Sequence, residues 1–92
     1  LRTVATDIRN RMKDTAAVIV LGAVAKGKFP FIAAATGKAV DEGVKAGDIV
    51  KRLGEYVNGR GGGKPDMAQG SGTAPEGAQR GFEAVKDLLQ SR

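Results

Sequence analysis

The chain contains no cysteine, no histidine and no tryptophan, and its aromatic residues are three phenylalanines and one tyrosine. Without cysteine and histidine there is no disulfide, no thiolate or imidazole metal site, no cysteine nucleophile and no Ser/His/Asp arrangement. Losing histidine also removes the best general base at neutral pH, and with it most enzyme chemistry. No catalytic residue and no metal ligand is therefore expected in this chain. With so few rings, the core must be aliphatic and there is little capacity to stack single-stranded bases.

What is present suits one small domain of 92 residues, too short for two hydrophobic cores. Fifteen Lys and Arg stand against ten Asp and Glu, a net charge of +5 that makes polyanions such as nucleic acid plausible partners. The plain alternative is that the charge only solvates the surface. The longest apolar run, residues 16–25, is too short to span a bilayer and is broken by Gly22. Residues 1–13 spread four basic side chains without an apolar stretch, unlike a signal peptide. No membrane association is expected, and cytoplasm is the expected location. Because it does not begin with Met, the sequence reads as a piece of a longer protein.

Leu1, Val4, Ala5, Ile8 and Met12 recur at helical spacing and predict an amphipathic helix over residues 1–14. Arg2, Arg9 and Lys13 line one flank of that stripe, Asp7 and Asp14 the other. The basic flank either faces solvent or follows a phosphate backbone. Two apolar runs, "AAVIVLGAVA" and "FPFIAAAT", are separated by "KGK" and predict a hairpin of buried strands, with Pro30 tolerable if that side is an edge. "GKAVDEGVKAGD" reads as a loop. Ala46, Ile49, Val50, Leu53 and Val57 predict a second helix over residues 46–57. "TAPE", Thr73 to Glu76, has the form of a capping box, so a last helix should start near Ala74, with Ala78, Phe82, Val85 and Leu89 facing inward. The expected fold is a single small α/β (α+β) domain, helices packed on a small mixed sheet in the order α-β-β-α-(short β)-α.

Between the last two helices lies "NGRGGGKPDMAQGSG", residues 58–72, unusually dense in glycine. Consecutive glycines can turn several N–H groups toward one anion, and Arg60 and Lys64 flank Gly61, Gly62 and Gly63. Nucleotide fingerprints fail at named positions. A Walker A loop would need glycine where Asn58 stands and a hydroxyl where Pro65 stands; a dinucleotide G-x-G-x-x-G would need glycine in place of Lys64 and a preceding strand. The glycines could instead be a mere connection, but Asp66, Met67, Ala68 and Gln69 inside the run argue for order. "DMAQG" could add a short strand, with Asp66 capping glycine N–H groups and Gln69, beside Gly70, bonding nearby backbone.

"GGGKPDMAQGSG", residues 61–72, closely resembles the signature of the C-terminal domain of alanyl-tRNA synthetases, called C-Ala, a DHH-associated domain. The similarity in layout extends over essentially all residues 1–92. Lys64 stands where Arg is common, and Ser71 lies among the small residues after Gln69. The same fold family closes DHH phosphoesterases, where the triple glycine is followed by histidine; Lys64 in that place favours the synthetase.

The resemblance implies a tRNA-binding role near the elbow of tRNA(Ala), with the aminoacylation and editing domains upstream in the same chain. The parent would be an ATP-dependent ligase, whose ATP, and zinc where it carries it, would be held outside this chain; no cofactor is expected here. In several members the C-terminal region supports a homodimer, through a helical segment this chain largely lacks. Three functions stay open at this point: RNA binding through Arg60, Gly61, Gly62, Gly63 and Lys64 with Arg2, Arg9 and Lys13 as secondary candidates; a structural or oligomerisation domain; or a phosphoesterase-type substrate-binding domain.

Overall fold

The computed structural model describes residues 2–90. Helix α1, Arg2–Arg11, leads into strands β1, Val18–Gly22, and β2, Phe29–Ala35. A short helix α2, Gly37–Asp41, precedes α3, Ala46–Tyr56; strands β3, Gly59–Lys64, and β4, Met67–Gly72, follow; a 3-10 turn, Pro75–Gly77, runs into α4, Ala78–Gln90. Leu1, counted in the apolar stripe above, lies outside the described residues.

The four strands form one sheet in the order β1-β2-β4-β3, antiparallel at every pairing. The mixed sheet with one short added strand is thus corrected: the glycine segment supplies two strands. They fold back on each other at Pro65–Asp66, so the strand inserted beside β2 is the returning one and runs opposite to it. β2 is therefore central, and Pro30 is not on an edge. It sits at the last rung with β1, where its carbonyl accepts from Ala23 N–H at 3.0 Å and only one bond is lost. The β1–β2 turn is Lys26 and Gly27 with φ of 51° and 77°, the positive pair that a two-residue hairpin requires.

Side chains alternate along a strand, and both faces of β2 are buried. Phe29, Phe31, Ala33 and Ala35 pack with Ile49, Val50, Leu53 and Val57 of the α3 side and Val85 of α4. Ile32 and Ala34 pack with Ala5 of α1 and Ile19 of β1. The result is three layers, with α1 on one face and the other helices opposite. The region expected as a loop holds α2 because Thr36 organises it. Its buried hydroxyl donates to Thr15 C=O at 2.6 Å and accepts from Ala17 N–H at 3.0 Å and Ala39 N–H at 3.3 Å, the last being a helix N-cap.

The capping box at Thr73 does not form. Thr73 Oγ1 accepts from Asn58 Nδ2 at 2.9 Å instead, and the N–H groups of Thr73 and Ala74 bond to Val57 C=O, tying the end of β4 to the end of α3. The α-helix consequently begins only at Ala78.

Candidate nucleic-acid interface

Register decides which way each residue of the glycine hairpin points. Ala35 N–H donates to Asp66 C=O at 2.9 Å, so Ala68, Gly70 and Gly72 bond toward β2 and Met67, Gln69 and Ser71 bond toward β3, paired with Lys64, Gly62 and Arg60. The pleat then puts Arg60, Gly62, Lys64, Met67, Gln69 and Ser71 on the face that carries α1, and the small residues Gly61, Ala68, Gly70 and Gly72 on the face under α3.

Small residues are needed there because α3 lies directly on the hairpin. A Cβ on Gly61 would meet Val50 Cγ1 at 2.5 Å, whereas a Cβ on Gly62, facing the other way, would meet nothing within 4 Å. The expected nest of glycine amides is corrected accordingly. Gly61 and Gly62 are in extended strand, and Gly61 and Gly63 turn their N–H groups to the outer edge of the sheet rather than toward one point.

Over this half of the sheet α1 does not extend. Arg60, Gly62, Lys64, Gln69 and Ser71 are all exposed. Arg2, at the start of α1, overlooks the same surface: it lines a trough of about 640 Å³ with Pro30, Ile32, Gln69 and Ser71, and a second of about 230 Å³ with Gly62, Lys64, Met67 and Gln69. Two groups of candidates far apart in sequence, Arg2 on the helix and Arg60 with Lys64 on the hairpin, thus border one open surface.

Arg9 lies further along α1, which ends at Arg11 rather than at residue 14 as expected, and Lys13 lies in the turn just after it; both border a hollow with Asn10, Thr36 and Asp66 at the hairpin turn. Arg9 is engaged: its Nη1 donates to Asp66 C=O at 3.3 Å and pairs with Asp66 Oδ2 at 3.4 Å. Asp66 therefore anchors the turn to α1 instead of capping glycine N–H groups. The Gln69 side chain, expected to brace backbone, makes no hydrogen bond among the described residues and is exposed in mid-strand. Gly70 does pack structurally, against Phe31 and the backbone of β3.

Two features escaped the sequence reading. Ser71 joins Gln69 on the open face, a placement readable from the alternation of "MAQGSG" once it is taken as a strand. Lys45, at the N-cap of α3, and Lys51 within α3 flank the other side of the β3 edge, lining a recess with Asp48, Gly62, Gly63 and Pro65; only the packing of α3 on β3 brings them there. Among the described residues no group of acidic side chains is placed to hold a metal ion, and no helix is long and apolar enough to cross a membrane.

The site is a basic, glycine-built hairpin edge in a small domain with a four-stranded antiparallel sheet. A family model described as DHHA1 domain matches residues 1–91, and the chain belongs to that family. It is 54% identical over 90 residues to an alanine–tRNA ligase of Corynebacterium jeikeium and 51% identical over 86 residues to that of Nocardia farcinica. These alignments cover 98% and 94% of this chain but 10% of each relative, so the chain spans about a tenth of their length. Among solved structures, the C-Ala domain from Aquifex aeolicus alanyl-tRNA synthetase superposes with a TM-score of 0.87 at 29% identity, over 97% of this chain and 78% of that one.

Proposed function

We propose that residues 1–92 are the C-terminal C-Ala domain of an alanine–tRNA ligase and that the open face of β3 and β4 binds tRNA(Ala). The observation that carries this reading is the convergence of Arg2, Arg60 and Lys64 around one exposed surface that no helix covers. Cations so placed meet backbone phosphates and position RNA without reading bases. In this reading the aminoacylation and editing domains, with their ATP, belong to the same longer chain. The domain itself does no chemistry: it holds the tRNA, near its elbow by family likeness, while the other domains act. The natural setting of such an enzyme is the cytoplasm.

The test is equilibrium binding of tRNA(Ala) to the 92-residue chain at low and moderate salt, with the double charge reversal Arg60→Glu/Lys64→Glu alongside. Both side chains are exposed on the β3 edge strand, so the variant should fold. Binding that weakens steeply with salt and disappears in the double variant supports the reading; wild-type affinity in that variant refutes the site.

A further inference from the structure

The open face is not uniformly basic. Its centre is a neutral polar row, Gln69 and Ser71, two positions apart on β4 and therefore side by side on the same face. Arg2 borders this row across the troughs, and Arg60 and Lys64 stand on β3 opposite Ser71 and Met67. Gly62, opposite Gln69, leaves the space beside the carboxamide empty of any side chain. No exposed aromatic ring stands on this surface: Phe31 is among the residues lining the larger trough but is only 1% exposed, Phe29 is likewise buried in the core on the α3 side, and Tyr56 and Phe82 belong to α3 and α4.

We propose that Gln69, assisted by Ser71, is a specificity-determining residue that hydrogen-bonds ribose 2′-hydroxyls in the shallow minor groove of helical RNA, so that the face distinguishes RNA from DNA. This rests on the nucleic-acid reading of the same face. A row of neutral donors and acceptors between cations matches the order of groups across that groove, with phosphates at its rims and hydroxyls and base edges between them. A carboxamide carries both donors and an acceptor, and a serine hydroxyl does the same. Either can therefore meet a hydroxyl that is itself donor and acceptor. Lysine or arginine in the centre would have bound any polyanion alike. The absence of a ring argues against stacking of splayed single-stranded bases and for the sugar edge of a folded helix.

The experiment measures affinities of the wild-type chain, Gln69→Ala, Gln69→Ala/Ser71→Ala and Arg60→Glu/Lys64→Glu for one RNA hairpin and the DNA hairpin of the same sequence. The Gln69 and Ser71 side chains are exposed, so their removal should leave folding intact, which circular dichroism checks. The wild type should prefer RNA by about 3- to 10-fold, the worth of one or two hydrogen bonds. In Gln69→Ala the RNA affinity should fall by more than the DNA affinity, and in the double alanine variant the ratio should approach one. If the alanine variants keep the wild-type ratio while the charge reversal still abolishes binding, Gln69 has no such role and the binding face stands. If the wild type binds tRNA(Ala) but neither hairpin, this inference falls and the proposed function stands; if it binds none of the three, the nucleic-acid reading falls and this inference with it.

Discussion

Arg9 reaches from α1 to the turn of the glycine hairpin, its Nη1 lying 3.4 Å from Asp66 Oδ2 and 3.3 Å from Asp66 C=O. One guanidinium thus fastens the helix that carries Arg2 to the hairpin that carries Arg60 and Lys64. The pair is partly solvent-exposed, and such pairs contribute at most about 1 kcal/mol. Asp66→Asn should accordingly lower stability by less than about 1 kcal/mol, as read by urea denaturation. In the same variant the affinity for tRNA should rise modestly, because a carboxylate near the phosphate path is removed and Arg9 is released from its charged partner.

Gly61 and Gly62 are neighbours with opposite demands. Gly61→Ala would drive a methyl into Val50 and the β4 backbone, and should cost on the order of 1–3 kcal/mol through overpacking. Gly62→Ala points into open space and should be neutral or slightly stabilising, because the unfolded chain loses freedom. Thermal melts of the two variants read this difference directly. Equal destabilisation would mean that α3 does not lie on the hairpin as described.

Thr36 is the buried polar joint between the α1–β1 connection and α2, with one hydroxyl serving Thr15, Ala17 and Ala39. Thr36→Val keeps the shape but takes the partner from the buried Ala39 N–H and from the half-buried Ala17 N–H and Thr15 C=O, and should cost about 1–3 kcal/mol. Denaturant unfolding checks the loss, and hydrogen exchange should show the Ala17 and Ala39 amides among the first to lose protection.

Much of the fold was legible because its signals are local. Lys26-Gly27 between apolar runs marked the first hairpin, and the helical stripe of residues 46–57 matched α3 to within one residue, Val57 being its C-cap. The second hairpin was only half visible. Glycines carry no alternation of apolar and polar side chains, so β3 has no strand signature, and it forms because α3 and β4 accept only small residues against them. The failed capping box has a similar cause: Asn58, fifteen residues earlier, takes the Thr73 hydroxyl. Likewise the separate basic candidates were readable one by one, but not their meeting. Arg2 and Lys64 share a surface only through the strand order, which places β4 between β2 and β3.

Salt dependence gives a count of the phosphate contacts. With Arg2, Arg60 and Lys64 each meeting one phosphate, the logarithm of the tRNA association constant should fall with the logarithm of salt concentration at a slope of about −2 to −3. Neutralising any one of them, as in Arg2→Gln, should flatten the slope by about one unit. A variant that loses affinity with an unchanged slope would not be acting through a phosphate.

In the proposed function, RNA is met by the open face of β3 and β4. This is tested most directly by backbone and side-chain NMR of the labelled chain titrated with tRNA(Ala). Signals of Arg2, Arg60, Gly62, Lys64, Gln69 and Ser71 should shift or broaden first, with the surface of α4 left unchanged. Perturbation confined to the exposed faces of α3 and α4, with the hairpin residues unaffected, would contradict it.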